Sequence, residues 1–361
     1  MSDAANKKSM RVMVMAGGTG GHVFPALAVA KELQKRGHQI RWLGTARGLE
    51  SEVIPREGID IDFVPIRGLR GNGVLGWLLA PFKISNALLR VLKAIKRYDP
   101  AVVLGMGGFV TGPGGVAARL LRIPLIIHEQ NAIAGMTNSL LSRIATRVCE
   151  AFPNTFEGKK VYHTGNPVRA DILAGESSAS AHRDGIHILV VGGSLGAKAL
   201  NEVVPETLSK MPADRQWVVR QQTGKKLYEE TVETYAKYHI KNAEVMAFID
   251  DMAAAYQWAD IVICRSGALT VAELAAAGLP SVLVPYPFAV DDHQTANAEY
   301  LSKGGAAFVI QQSELNADRL LEILLKMDAT TIAKMGEAAK KLALPNATKV
   351  VADHCVAIAN V

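Results

Sequence analysis

Apolar positions along this chain fall in short β-branched runs separated by longer stretches with helical spacing. The first run, Val12-Met-Val-Met15, ends at a glycine cluster. It is followed by Pro25 to Leu33, whose apolar positions recur at helical intervals until Gly37 stops them. Ile40 to Leu43, Val102 to Leu104 and Pro124 to Ile127 read as further strands with helical segments between most of them, and Asp60-Ile-Asp62 lies in an alternating, strand-like run. The pattern restarts at Ile186 to Val191, again followed by glycines and by a helix from about Ala197. Trp217 to Val219, Ile261 to Cys264 and Ser281 to Val284 continue it. Strand and helix in alternation predict an α/β fold with parallel sheets covered on both faces.

The two halves begin alike, with Gly17-Gly-Thr-Gly-Gly21 after the first strand of one and Gly192-Gly-Ser-Leu-Gly196 after the first strand of the other. Gly165-Asn-Pro167 and the polar stretch from Gly175 to Gly185 break the pattern between them. Two Rossmann-like domains are expected, residues 1–170 and 171–361, with the last helix, around 347–359, able to cross back onto the first. Ligands in such folds bind beyond the carboxyl ends of the strands, so two facing crevices would form a central cleft.

Composition narrows the setting. A length of 361 residues suffices for two cores, and 49% hydrophobic with 20% charged residues suits a globular protein. Cys149, Cys264 and Cys355 are far apart without a CxxC spacing, which speaks against a disulfide framework or zinc site and fits a reducing compartment. No apolar run approaches the roughly 20 residues of a spanning helix, and the first is too short for a signal-peptide core. The expected location is the cytoplasm.

Charge is uneven. Residues 1–165 carry 22 Lys/Arg against 11 Asp/Glu, and the remainder 18 against 23. Between Arg67 and Arg97 stand seven cations and no acid, interleaved with Leu75, Trp77, Leu78, Phe82 and Leu89. That mixture predicts contact with an anionic membrane surface through residues 67–97. The alternative is a core helix with a solvated basic face. Nucleic acid is not expected as a partner, because aromatics make up only 6% and no recognition motif occurs.

Four strand-to-helix junctions are glycine-rich or small and polar, at residues 17–22, 105–115, 192–197 and 265–270, which suits phosphorylated ligands at helix starts. The dinucleotide fingerprint fails, since its last glycine position holds Val23 and no acid ends the second strand. No GxxxxGK[ST] loop occurs, and Asp60-Ile-Asp62 reads as structural, not as a metal site. His22 ends the first loop at a helix start, where the dipole disfavours protonation and keeps the imidazole available as a base. Glu273 is one acid in an apolar helix, either the partner of Thr270 in a capping box or an acceptor for two ribose hydroxyls. Arg265, just past an apolar strand, would be costly without an anionic partner.

Taken together, Gly17-Gly-Thr-Gly-Gly-His22, His128-Glu-Gln-Asn131, Gly165-Asn-Pro-Val-Arg169, Gly192-Gly-Ser-Leu-Gly-Ala197, Phe248-Ile-Asp-Asp-Met252 and Cys264-Arg-Ser-Gly-Ala-Leu-Thr270 resemble the MurG family in matching order from about residue 10 onward. The resemblance implies the GT-B architecture of two Rossmann-like domains. It implies an inverting transfer of GlcNAc from UDP-GlcNAc to the muramyl C4 hydroxyl of undecaprenyl-linked lipid I, giving lipid II, on the cytoplasmic face of the membrane and with no cofactor or obligatory metal. By the same resemblance His22 is the expected base. Thr19, Gly20 and Gly21 match the first glycine loop, Asn131 a donor-contacting asparagine, and Arg169 and Ser194 residues near the nucleotide. Ile249 matches the position whose backbone reads uracil. Ala268, Leu269, Thr270, Val271, Ala272 and Glu273 match the segment on diphosphate and ribose, and Gln294 a contact to the sugar. A relative using another lipid acceptor, or a non-catalytic binder of nucleotide-sugar or lipid, are the alternatives.

Overall fold

Successive side chains of a strand point to opposite faces, and in the central strands of this protein both faces are buried. In the computed structural model, which describes residues 9–66, 80–173, 185–193 and 196–359, Val12 and Val14 enter one apolar cluster while Met13 and Met15 enter another. The chain divides into two compact units, one comprising Met1–Arg169 with Pro345–Val361 and the other Ala170–Leu344.

In the first unit, strands β1 (Arg11–Met15), β2 (Gln39–Gly44), β3 (Asp60–Phe63), β4 (Val102–Gly105), β5 (Leu125–Glu129), β6 (Arg147–Glu150) and β7 (Val161–His163) form one parallel sheet in the order β3-β2-β1-β4-β5-β6-β7. Helix Gly20–Lys35 covers one face through Val23, Ala26, Val29, Ala30 and Leu33. Gly37, at φ +86°, ends that helix, its N–H reaching the Gln34 carbonyl and that of His38 the Leu33 carbonyl. Helix Ala347–Ala359 lies on the same face, where Val351, Ala352, Cys355 and Ile358 join Val12 and Val14 in one cluster. Helices Ala80–Tyr98 and Thr111–Leu120 close the other face.

In the second unit, β8 (Ile186–Val191), β9 (Trp217–Gln222), β10 (Ala243–Met246), β11 (Ile261–Cys264), β12 (Ser281–Leu283) and β13 (Ala307–Val309) form a parallel sheet in the order β10-β9-β8-β11-β12-β13. Ile188, Val190, Ile261 and Ile263 pack with Leu200, Leu320 and Leu324 on one face. Leu189, Val262 and Leu283, of opposite parity, are also fully buried. Each unit is therefore a doubly wound α/β domain, as the alternating pattern predicts. Among the described residues, no helix is long and apolar enough to cross a membrane.

Candidate active site

Strand order reverses between β1 and β4 in the first sheet and between β8 and β11 in the second, and loops diverging there leave a crevice at the strands' carboxyl ends. In the first unit the loop after β1 is held by an acid the sequence did not single out. Glu50 is completely buried and accepts hydrogen bonds from the Gly18 N–H (2.9 Å), the Thr45 N–H (2.8 Å) and the Thr45 hydroxyl (2.7 Å). Close approach also constrains the loop after β4. A Cβ on Gly108, at φ +84°, would stand 2.3 Å from the Gly17 carbonyl oxygen, and one on Gly107 2.5 Å from His22 Nδ1. Glycine at both positions lets the two loops meet.

Thr19 is exposed at the N-cap of helix Gly20–Lys35 and makes no side-chain cap; Gly20 and Gly21 form the first turn. His22 follows, half-buried, with Nδ1 2.8 Å from Gln130 Oε1. Gln130 Nε2 lies 3.1 Å from His128 Nδ1, and His128 Nε2 lies 3.0 Å from the Gly165 carbonyl. Burial of His128 pushes its pKa down to about 4, so the ring is neutral. Beside it Glu129 is buried and accepts from the Asn131 N–H (3.1 Å) and side-chain amide (3.2 Å), the Gly135 N–H (3.1 Å) and the Asn138 amide (2.9 Å). Asn131 is thus aimed by a carboxylate two residues before it. Arg169, half-buried, is the last residue of this unit before the chain passes to the other.

In the second unit the loop after β8 contains Ser194, which lies outside the described residues. The loop after β10 places Ile249 half-buried ahead of helix Met252–Trp258. After β11, helix Ala268–Ala277 starts from Gly267 without a side-chain cap. The Val271 N–H already bonds the Gly267 carbonyl (2.9 Å), so Ala268, Leu269 and Thr270 carry the N–H groups without a helical partner. Val271 itself is fully buried, and Ala272 is half-buried in the second turn. Glu273 does not form a capping box, because Thr270 stands inside the helix, not at its cap. Instead Glu273 is buried and accepts a hydrogen bond from the Tyr256 hydroxyl at 3.0 Å. Gln294, at the start of helix His293–Lys303, accepts from the Tyr286 N–H at 3.0 Å.

Two expectations about charged residues are refined. Arg265 has no carboxylate partner among the described residues. It donates to the carbonyls of Val284 (3.1 Å) and Pro285 (3.2 Å) and to Gln312 Oε1 (2.6 Å) and lies over the Tyr286 ring, so carbonyl dipoles stand where an anion was expected. Asp62 is engaged by Arg41 (2.9 Å) and Arg97, and Asp60 stands 3.7 Å from Arg41, which occupies the acid pair structurally.

Residues 12–150 match the glycosyltransferase family 28 N-terminal domain, and residues 187–351 the glycosyltransferase family 28 C-terminal domain. A protein of Shewanella denitrificans named UDP-N-acetylglucosamine–N-acetylmuramyl-(pentapeptide) pyrophosphoryl-undecaprenol N-acetylglucosamine transferase is 52% identical over 360 residues, covering 98% of each chain. One of the same name from Shewanella oneidensis is 50% identical over 364 residues, covering 99% of each. The crystal structure of Acinetobacter baumannii MurG superposes with a TM-score of 0.82 at 45% identity, over 96% of this chain and 99% of that one. A Neisseria meningitidis UDP-GlcNAc 2-epimerase shares the fold, with a TM-score of 0.68 at 15% identity over 95% of this chain and 99% of that one.

Proposed function

The chain belongs to the MurG family, within glycosyltransferase family 28, and from that premise we infer that it transfers N-acetylglucosamine from UDP-GlcNAc to undecaprenyl-pyrophosphoryl-N-acetylmuramyl-pentapeptide, turning lipid I into lipid II. The observation that carries the reading is half-identity over almost the whole length to relatives named for this transfer. The geometry supports a chemistry for it. The muramyl C4 hydroxyl attacks the anomeric carbon and forms the new C–O bond as the bond to UDP breaks. Its proton goes to His22, whose Nε2 has no protein partner among the described residues. Charge grows on the departing diphosphate, and the open N–H groups of Ala268, Leu269 and Thr270, with the helix dipole behind them, suit that charge without a metal.

Glu273 takes the ribose hydroxyls, Ile249 offers its backbone to uracil, and Gln294 reads the sugar. Ser194 and Arg169 serve the nucleotide phosphates, and Asn131 with Thr19, Gly20 and Gly21 completes the donor contacts. Incubation with radiolabelled UDP-GlcNAc and a short-chain lipid I analogue should give a labelled disaccharide product, with UDP-GalNAc a poor donor; UDP-GlcNAc consumed without acceptor would refute transfer. His22→Ala should lower kcat by on the order of 100-fold or more and leave UDP binding within about twofold. A kcat within about threefold of the parent, less than 1 kcal/mol of barrier, removes His22 as the base.

The acceptor is lipid-linked, so the enzyme works at a membrane surface. Support comes from helices Ala80–Tyr98, Thr111–Leu120 and Met136–Ser142, which pack in series. They expose Leu89, Val116, Leu120, Met136 and Leu140 alongside Arg90, Arg119 and Arg143. Residues 67–79 of the expected patch lie outside the described residues. In the described part, Ala87, Val91 and Ile95 face the core while Arg90, Lys93, Lys96 and Arg97 are exposed.

A further inference from the structure

We infer that Gln130, held by His128, is a positioning residue that fixes His22 as the Nδ1–H tautomer and leaves Nε2 as its proton acceptor. The inference rests on the reading of His22 as the base. It follows from hydrogen-bond polarity, starting at two groups that can only accept, together with the neutrality of the buried His128 ring. The Gly165 carbonyl, 3.0 Å from His128 Nε2, requires that nitrogen to carry the proton. His128 is neutral, so its Nδ1 holds a lone pair and must receive a donor. The group facing it at 3.1 Å is therefore the Gln130 NH2. The same NH2 stands 3.3 Å from the His128 carbonyl, a second acceptor that forbids the opposite amide orientation.

The amide oxygen is thereby turned to His22 Nδ1 at 2.8 Å, and an oxygen there accepts only from Nδ1–H. Water cannot relax the arrangement, since His128 is 0% and Gln130 1% exposed. Around the amide the backbone is also fixed: the Asn166 side chain donates to the Gln130 carbonyl at 3.2 Å and the Asn138 side chain to the His128 carbonyl at 3.1 Å. Gly107, lacking a side chain, gives the His22 ring its place beside the loop, since a Cβ there would stand 2.5 Å from Nδ1. Gln130 touches neither substrate in this scheme. It sets which nitrogen of His22 carries the lone pair.

The test is the tautomeric state of His22 in the full-length protein, read from ring 15N chemical shifts and assigned with His22→Gln and His128→Asn spectra. The parent protein should show a pyridine-like Nε2 and pyrrole-like Nδ1 at His22, and the reverse at His128. Gln130→Met, similar in volume, should move His22 mostly to the Nε2–H form and lower kcat about fivefold to tenfold while KM for UDP-GlcNAc stays within about twofold. A pyridine-like Nδ1 in the parent, or an unchanged His22 tautomer in Gln130→Met, overturns the inference, and the parent measurement decides even if Gln130→Met fails to fold. A tautomer shift as expected, with His22→Ala retaining kcat, leaves the positioning intact and refutes the base.

Discussion

At the scale of single residues, the first unit depends on polar groups taken wholly out of water. His128 titrates at about 4 because burial disfavours its charged form, whereas an unfolded histidine titrates near about 6.5. Between those values the unfolded chain takes up a proton that the folded one refuses. The resulting stability is complete above about pH 6.5 and drains away as pH falls towards 4, amounting to roughly 3 kcal/mol. His128→Gln removes the titration, so between pH 7 and 4.5 it should lose about 2–3 kcal/mol less than the parent in urea unfolding; parallel pH curves would count against a neutral His128. Glu50 and Glu129 belong to the same category, buried carboxylates that accept several N–H groups each. Neither was legible in sequence, because a lone acid in a mixed stretch reads the same whether it faces solvent or ties a loop. His22 stood out because it ends a glycine loop at a helix start. Its partner Gln130 is 108 positions away, and no local pattern joins them.

Among the elements, legibility followed burial on both faces. Ile186–Val191 and Arg11–Met15 are near-continuous apolar runs and announce central strands. Arg147–Glu150, Val161–His163 and Ala307–Val309 were not evident, being three or four residues long, and β7 and β13 are edge strands with one neighbour each. The pairing of Thr270 with Glu273 looked like a helix start, but Gly267 caps the helix and moves its origin back by three residues. Helix Ala347–Ala359 showed its apolar stripe in sequence, not the sheet it covers. Ile358, 6% exposed, packs in the cluster of Val12 and Val14. Ile358→Ala should cost about 2–4 kcal/mol. Hydrogen exchange should report the loss in β1 and β4 with no change in β8 and β11; faster exchange confined to the second sheet would contradict the packing.

For the molecule as a whole, basic and acidic residues are segregated along the chain, with the excess of cations before residue 165. Exposed Leu120, Met136 and Leu140 add an apolar component on the same unit. Vesicles containing phosphatidylglycerol should bind the protein more tightly than neutral ones, with affinity falling as salt rises, since each surface cation contributes about 1 kcal/mol that salt screens. Equal flotation with both vesicle types would argue against an anionic surface as partner. The second unit is continuous in sequence, whereas the first is closed by a helix from the far end of the chain. During translation, then, the part begun first is completed last. The ribosome must deliver residues up to about Ile358 before β1 has its full apolar cover. A message truncated just past Leu344 would leave the second unit whole and the first without helix Ala347–Ala359, so the Val12 and Val14 face of β1 would lose the cover of Val351, Ala352, Cys355 and Ile358 and become a target for proteolysis.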